Sequence, residues 1–314
     1  MRPRSQTRVR AIVLVAMLVL AHAIARPVVR SGFGCGPVDG PDGSDAQLVV
    51  LSWNLRNFPG DEQDLDAIAA RIDATAPHVL ALQEIHDAHA LAELLPDRTI
   101  LRSWGGGARG QHVGVALDER TRLLDAPIEH DALALGGRVR PAFSTQLAVD
   151  GGLDFQIVVV HLKAAPEGAA TRRIQWALLA DAIARLRATS DDPDLVLVGD
   201  FNTTGDDTKS ADDERRELVD VLARIGLRAV EIEGGCSAYW DGERHDGWLE
   251  PALLDLAFVA GFEEYEWRAT PLGACAAHGC SALRSTAAHP DPQVAAMSDH
   301  CGVLLHARVA TTLP

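Results

Sequence analysis

A short apolar run that ends on an acid and an amide constrains this chain most. Residues 195–198 are all apolar, and Gly199, Asp200, Phe201 and Asn202 follow them. Such a run, closed by turn-forming residues, is typical of a strand buried on both faces of a sheet. Open sheets place their sites beyond the carboxyl ends of strands, so Asp200 and Asn202 are candidates for chemistry. Alone, they also fit an ordinary turn, where Asp, Asn and Gly are common.

Other predicted strands also carry polar side chains at or near an end. Asn54 follows a strand over 48–52, Glu84 follows one over 78–83, His161 follows one over 153–160, Asp255 lies within one over 253–259, and Asp299-His300 precede one over 302–309. A carboxylate at the end of a buried strand is costly unless it binds a cation or a donor, so Glu84 is a candidate metal ligand. The alternative is an exposed Glu just past the sheet.

Helical spacing of apolar residues predicts helices over 64–75, 88–95 and 171–186. A further strand is predicted over 122–128. The polar, acidic segment 203–217 is predicted to be a solvated loop, with a helix over 218–225.

The first residues form a separate unit. Four arginines precede the apolar run 11–20, and the small residues 23–25 follow it. This pattern predicts a signal peptide over 1–25, a linker over 26–46 and a secreted or periplasmic/extracellular protein without stable membrane insertion after cleavage. A membrane anchor is disfavoured because the apolar run is shorter than the ~20 residues of a spanning helix. No Gly/Ser-rich linker or repeat interrupts the remainder, which predicts one domain over 47–310.

The charge balance argues against one mode of nucleic-acid binding. Cleavage would remove four of the 29 Lys and Arg residues, leaving 25 against 44 Asp and Glu, a net charge of −19. Such a surface repels polyanions and argues against a protein that binds nucleic acid by a basic face. A phosphoester hydrolase remains open, because bound divalent cations can supply local positive charge.

Export permits disulfides among the four cysteines beyond residue 200. Cys236 is expected to pair with either Cys275 or Cys280, and Cys301 is expected to be a buried thiol. The CxxC spacing of a structural zinc site is absent.

The motifs, taken in order, resemble the endonuclease/exonuclease/phosphatase superfamily, and within it the deoxyribonuclease I-like secreted nucleases. They are Trp53-Asn54, Gln83-Glu84, Arg140-Pro141, His161-Leu162, Gly199-Asp200-Phe201-Asn202, Leu254-Asp255 and Ser298-Asp299-His300. The resemblance covers about residues 47–309. It implies an α/β (α+β) fold, a four-layer α/β/β/α sandwich of two mixed sheets flanked by helices, with the site at one end of the sheets.

The resemblance also implies roles for these residues. Glu84 would be the principal ligand of Mg²⁺, or of Mn²⁺ or Ca²⁺, helped by Asn54 and Asp299. Asp200 and Asn202 would orient the attacking water and the scissile phosphate. His300, paired with Asp255, would be the general base or a phosphate-binding imidazole, His161 would protonate the leaving oxygen, and Arg140 would grip the phosphate with Asn202 and His300.

One departure from the pancreatic-type pattern stands out. Those enzymes carry a Tyr and a Glu just before the strand at 112–117, where this chain has Gln111 and His112. The partner of His161 and any minor-groove contacts are therefore not predicted.

These features predict a secreted, divalent-metal-dependent phosphodiester hydrolase, a monomeric deoxyribonuclease I-like endonuclease acting on DNA. A sphingomyelinase-like or other phosphoester hydrolase of the same superfamily is the alternative, disfavoured because aromatic residues make up only 5% of the chain and no aromatic hairpin for membranes is expected. An inactive interaction domain is a further alternative.

Overall fold

Sixteen strands and five α-helices lie within residues 47–61, 63–190, 192–240, 246–286 and 297–310, the part of the chain that this computed structural model describes. The strands are β1 (Leu48–Phe58), β2 (Val79–Ile85), β3 (Thr99–Arg102), β4 (His112–Leu117), β5 (Thr121–Leu123), β6 (Ile128–His130), β7 (Ala142–Val149), β8 (Leu153–His161), β9 (Leu195–Asp200), β10 (Arg228–Val230), β11 (Ala238–Trp240), β12 (Trp248–Ala252), β13 (Asp255–Ala260), β14 (Tyr265–Pro271), β15 (Leu283–Arg284) and β16 (Val303–Val309). The helices are α1 (Leu65–Thr75), α2 (Ala88–Leu94), α3 (Ala169–Thr189), α4 (Ala211–Ala223) and α5 (Gly273–His278). The predicted signal peptide and linker lie outside the described residues.

The fold contains two large mixed sheets, and each has one parallel pair of strands among antiparallel neighbours. The first has the order β14-β16-β1-β2-β4-β3, with β1 and β2 parallel. The second has the order β10-β13-β9-β8-β7-β5, with β8 and β9 parallel and β6 paired to β7. Each sheet therefore brings the carboxyl ends of two neighbouring strands to one edge.

The two sheets pack face to face and carry helices outside. Buried residues of both sheets form the central layer, among them Val50, Val115, Ile157 and Val198. Helices α3 and α4 cover the outer face of the second sheet, and α1 and α2 cover that of the first. The predicted four-layer sandwich is confirmed.

Two local predictions of secondary structure were wrong. The strand predicted over 122–128 is two short strands, β5 and β6, which pair separately with β7. The segment 203–217 is not wholly a solvated loop, because α4 begins at Ala211, where Ser210 Oγ accepts a hydrogen bond from Asp213 N. Acidic residues in a first helical turn are favoured by the helix dipole, so the acidic residues of this segment stabilise the helix.

The cysteines form two disulfides beside the edge that carries the polar strand ends. Cys236 pairs with Cys280, one of the two predicted partners. The expectation of a buried thiol at Cys301 was wrong, because Cys301 pairs with Cys275 of α5. Both bonds lie in a small apolar cluster next to the three-stranded sheet β11-β12-β15.

Removing the Cys275–Cys301 bond by a double change to alanine is expected to lower the free energy of unfolding by about 2–4 kcal/mol, because the open chain gains loop entropy. Urea unfolding of the variant beside wild type tests this, and an unchanged free energy of unfolding would contradict it.

No helix in the described part of the chain combines the length and apolar character needed to cross a bilayer.

Candidate active site

The strand register places three candidate residues side by side on the second sheet. His161 on β8 is opposite Asp200 on β9, and Asp200 is opposite Asp255 on β13. Asn54 of β1 reaches across from the first sheet, where its Nδ2 donates to Asp200 Oδ2 at 3.1 Å. The two sheets thus meet at the carboxyl ends of their parallel pairs, as predicted.

The backbone is distorted at several positions where the strands end. Glu84 has a φ of +61° and Asn202 a φ of +52°, both in the left-handed region that is uncommon for residues other than glycine. Gly199 has a φ of +134°, and a Cβ there would lie 2.1 Å from Val160 O, so only glycine fits. Such conformations persist where the surroundings enforce them and often occur at functional sites.

Glu84 lies in a cradle of amide donors. Asn54 Nδ2 is 3.3 Å from its Oε1, and the backbone N of Asn57 donates to its Oε2 at 2.8 Å. Asn57 was missed by sequence reasoning, although a second Asn three residues after Asn54 was the available signal. The Glu84 side chain is 14% exposed, so it remains open to a ligand.

His161 is enclosed between two carboxylates. Its Nε2 is 3.6 Å from Glu84 Oε1 and 3.4 Å from Asp200 Oδ2, and the side chain is buried. Its Nδ1 has no hydrogen-bond partner among the described residues. Burial, together with the charges of Arg140 and His300, holds the pKa of His161 well below its ordinary value. The ring is therefore neutral at neutral pH.

The pKa of His300 is shifted in the opposite direction from that of His161. Its Nδ1 lies 2.8 Å from Asp255 Oδ2, and its Nε2 lies 3.8 Å from Asp200 Oδ2. Burial disfavours the charged ring, but the negative charges of Asp255 and Asp200 outweigh it, so the pKa of His300 is raised well above its ordinary value. The predicted Asp255–His300 pair is present.

Asp200 joins the two imidazoles. Burial raises its pKa to about 7, with the charges of Asp255 and Glu84 adding to the shift and that of His300 opposing it. Its Oδ1 accepts a hydrogen bond from Asn202 N at 2.9 Å. A carboxyl group whose pKa is near neutrality can take up or release a proton at physiological pH.

Arg140 lies next to the carboxyl end of β8. Its Nε donates to His161 O at 3.1 Å and its Nη2 donates to Leu162 O, so two backbone carbonyls fix the guanidinium. Burial lowers the pKa of Arg140 to about 10, which leaves it charged at neutral pH. Asn202 Nδ2 lies 3.4 Å from the same Leu162 O, so it shares this acceptor with Arg140.

Asp299 lies apart from the other candidate metal ligands. Its side chain is 44% exposed, with Oδ2 3.9 Å from Arg56 Nε and Oδ1 near Ser298 Oγ. Among the described contacts, none joins it to Glu84 or Asn54. The structure thus brings Asn54 to Glu84 and leaves Asp299 at the margin.

The residues fit a divalent cation held mainly by one carboxylate. In the described residues, no group of three or more His, Cys, Asp and Glu side chains is arranged as a complete metal site. Glu84 and Asp200 nevertheless converge on Asn54 Nδ2, which concentrates negative charge there. Mg²⁺ commonly uses one or two carboxylates and completes its shell with water and substrate oxygens, so Glu84 would be its anchor.

Gln111 and His112 are engaged elsewhere. Gln111 Nε2 donates to Asn57 Oδ1 at 2.8 Å, and His112 Nδ1 is 3.0 Å from Ser103 O. The Nδ1 of His161 has no hydrogen-bond partner among the described residues, so neither Gln111 nor His112 orients that ring.

A buried ion pair behind the site was also missed. Arg172 of α3 and Glu214 of α4 pair at 2.7 Å, and both side chains are fully buried. Arg172 Nη1 also donates to Lys163 O and Ala165 O, and Gly205 N donates to Glu214 Oε2. The pair therefore ties together the loops that follow His161 and Asn202. A fully buried acid in an acidic segment gives no sequence signal, because its partner lies 42 residues away.

Changing Asp255 to Asn is expected to lower the pKa of His300, because it removes the largest of the three charges that raise it, those of Asp255, Asp200 and Asp299. In wild type the folded pKa exceeds the ordinary 6.5, so the stabilisation from protonated His300 is full below pH 6.5 and is lost as pH rises through the folded value. NMR titration of the imidazole measures the shift. Asp299→Asn is the matched control and should produce a smaller change, and an unaltered titration in Asp255→Asn would refute the assignment.

Comparison with known proteins identifies the family of this chain. The sequence model of the Endonuclease/Exonuclease/phosphatase family matches residues 51–300. A search of curated proteins finds no sequence that matches the chain.

Solved structures support the fold. Truncated Caenorhabditis elegans TDP2 superposes with a TM-score of 0.61 at 17% identity, covering 84% of this chain and 98% of that one. D. rerio TDP2 complexed with a single-strand DNA product has a TM-score of 0.60 at 14% identity, covering 83% and 99%. The mannosyl-6-phosphatase of Bacteroides thetaiotaomicron has a TM-score of 0.56 at 18% identity, covering 83% and 99%. Because the family model spans most of the sequence, the chain belongs to the Endonuclease/Exonuclease/phosphatase family, whose members hydrolyse phosphoester bonds.

Proposed function

We propose that this protein is a divalent-metal-dependent phosphodiester hydrolase that acts on DNA as a monomer. The observation that carries the proposal is the row His161, Asp200 and His300, with Arg140 fixed beside it. Hydrolysis of a phosphodiester needs a proton acceptor for water and positive charge for the phosphate oxygens. This row supplies both.

Asp200 and His300 would have different roles, one toward the attacking water and one toward the phosphate. With a pKa of about 7, Asp200 is suited to accept the proton of a water molecule near neutral pH. His300, kept protonated by Asp255, is suited to bind a phosphate oxygen through Nε2. Of the two roles that the resemblance allows for His300, the phosphate-binding one therefore fits these pKa directions better.

Arg140, Asn202 and His161 would position the substrate. Arg140 presents a fixed charge to the phosphate, and Asn202 lies next to it on the shared Leu162 carbonyl. A neutral His161 can donate one hydrogen bond to an oxygen, but it is not the imidazolium that would act as an acid toward the leaving group. The protonating role drawn from the resemblance would require substrate binding to raise the pKa of His161.

The family generally uses divalent metal ions, and here Glu84 would hold one, with Asn54 orienting the carboxylate. The ion would supply Lewis acidity that stabilises charge on the phosphate and on the leaving oxygen. Glu84→Gln is expected to reduce metal affinity, which titration calorimetry with Mg²⁺ can measure without substrate. Equal affinity in Glu84→Gln and wild type would remove Glu84 from this role.

A phosphodiester rather than a monoester is proposed from the related folds. Among the related folds, D. rerio TDP2 holds a single-strand DNA product. Export through the N-terminal segment would bring the protein to extracellular nucleic acid.

Incubation of the protein with supercoiled plasmid and Mg²⁺ tests the proposal. Nicking should occur in Mg²⁺ and disappear with EDTA or in the Asp200→Asn variant. His89→Ala, which alters an exposed histidine of α2 outside the row, is the control for substitution as such. An intact plasmid with folded wild-type protein would contradict a DNA endonuclease.

A second candidate is hydrolysis of a phosphodiester in a lipid head group. Contrary to expectation, the antiparallel strands β11 and β12 carry exposed aromatic side chains, with Trp240 40% and Trp248 43% exposed. This strand pair lies against the site, since Tyr239 N donates to Asp299 O. Tryptophan favours membrane interfaces, so release of choline phosphate from sphingomyelin vesicles, with plasmid left intact, would select this candidate.

A further inference from the structure

The most exposed aromatic side chain among the described residues belongs to the loop between β3 and β4. Trp104 is 88% exposed, whereas Trp53 and Trp176 are buried. An indole that projects almost fully into water gains nothing from the core, and both of its faces are accessible to a ligand that stacks on it.

Hydrogen bonds fix the base of this loop, residues 103–105. The carboxylate of Glu129 on β6 accepts hydrogen bonds from the backbone N of Trp104 and, at 3.0 Å, from that of Gly105. Ser103 Oγ donates to Gly105 O at 2.7 Å. Trp104 is therefore carried by an ordered backbone, which reduces the entropy that a ligand would have to remove.

The loop also lies against the proposed phosphate-binding segment. A Cβ at Gly105 would be 3.5 Å from Pro141 Cδ, and one at Gly107 would be 2.8 Å from Val139 C. These two neighbours flank Arg140. Arg109, exposed on the same loop, lies near enough for its charge to act on the Arg140 guanidinium. At its far end the loop reaches Gln111, which contacts Asn57 beside Glu84.

The charge of the protein makes stacking the suitable mode of binding. A chain with a net charge of −15 over its full length repels a polyanion at long range and has fewer basic side chains to bind it than acidic side chains to repel it. Stacking of a base on an aromatic ring does not depend on net charge and contributes about as much as several surface ion pairs.

We infer that Trp104 stacks on an unpaired base next to the phosphodiester that is cleaved, with Arg109 contacting the neighbouring phosphate. The inference rests on the proposed function and narrows it to single-stranded or locally unpaired nucleic acid. A paired base keeps its faces inside the duplex, so only an unpaired base offers a free face to this indole.

The test compares two single-stranded oligonucleotides of equal length, one with thymine bases and one with abasic sites throughout. Trp104→Ala should lower kcat/KM for the thymine strand by about 5- to 150-fold, the range that corresponds to one lost stacking contact. The abasic strand should be cleaved equally by variant and wild type. Trp104→Phe retains a ring and should keep most of the activity.

Binding measured without turnover separates this inference from the proposed function. Fluorescence anisotropy of a labelled thymine strand with the full chain in EDTA should weaken in Trp104→Ala and remain unchanged in Ile174→Ala, which removes an exposed apolar side chain from α3. Hydrolysis by wild type with no dependence on Trp104 in either assay would overturn the inference alone. Loss of vesicle binding instead of strand binding in Trp104→Ala would also overturn it, whereas absence of any phosphodiester hydrolysis by wild type would overturn the proposed function.

Discussion

Replacing His300 with alanine is expected to lower kcat/KM for phosphodiester hydrolysis by about 10²–10⁴-fold. The ring is positioned by Asp255 at 2.8 Å and faces Asp200 at 3.8 Å, so it carries a fixed positive charge at the point where a phosphate would bind. Alanine removes this charge and leaves Asp255 buried without its partner. Steady-state kinetics in Mg²⁺ on a defined oligonucleotide measures the loss.

The control for this variant has to separate chemistry from folding, because an unpaired buried Asp255 also destabilises the protein. The double variant His300→Ala with Asp255→Ala removes both members of the pair, so it should unfold closer to wild type in urea and still be inactive. His89→Ala should retain full activity. Wild-type turnover by the folded double variant would show that the pair takes no part in hydrolysis.

The strand ends that form the candidate site could be predicted from sequence, because an apolar run that stops on Asn54, Glu84, His161 or Asp200 is visible without a structure. The chain supplies the polar residue, and the parallel arrangement of neighbouring strands brings the ends together. An Asp within an apolar strand was expected to need a partner, and the resemblance implied that the partner of Asp255 is His300. Their contacts and separations followed only from the register of β8, β9 and β13.

What could not be predicted depends on contacts between distant segments. Cys301 next to His300 has no local feature that distinguishes a thiol from a disulfide, and its partner is placed by α5. Glu214 resembles the other acids around it, yet it is fully buried because Arg172 of another helix meets it. Trp104 stood in a glycine-rich turn, and its exposure became apparent only with the fold.

The Arg172–Glu214 pair provides the second large effect, this time on stability. Changing Glu214 to Ala is expected to lower the free energy of unfolding by about 3–5 kcal/mol, because Arg172 is left charged and fully enclosed. The half-exposed pair between Arg173 and Glu217 on the same two helices is the matched control. Glu217→Ala should cost less than about 1 kcal/mol, since water screens that pair. Urea unfolding monitored by tryptophan fluorescence gives both values.

A double variant distinguishes stability from positioning. Arg172→Met with Glu214→Leu replaces the ion pair by apolar side chains of similar size, a change that often restores stability. It still removes the hydrogen bonds from Arg172 to the carbonyls of Lys163 and Ala165, so the loop after His161 loses its tether. The variant is therefore expected to be stable and yet slower, with kcat reduced more than KM is raised. Recovery of both stability and kcat would mean that the pair serves packing alone, whereas recovery of stability without kcat would show that it sets the position of the groups around Arg140.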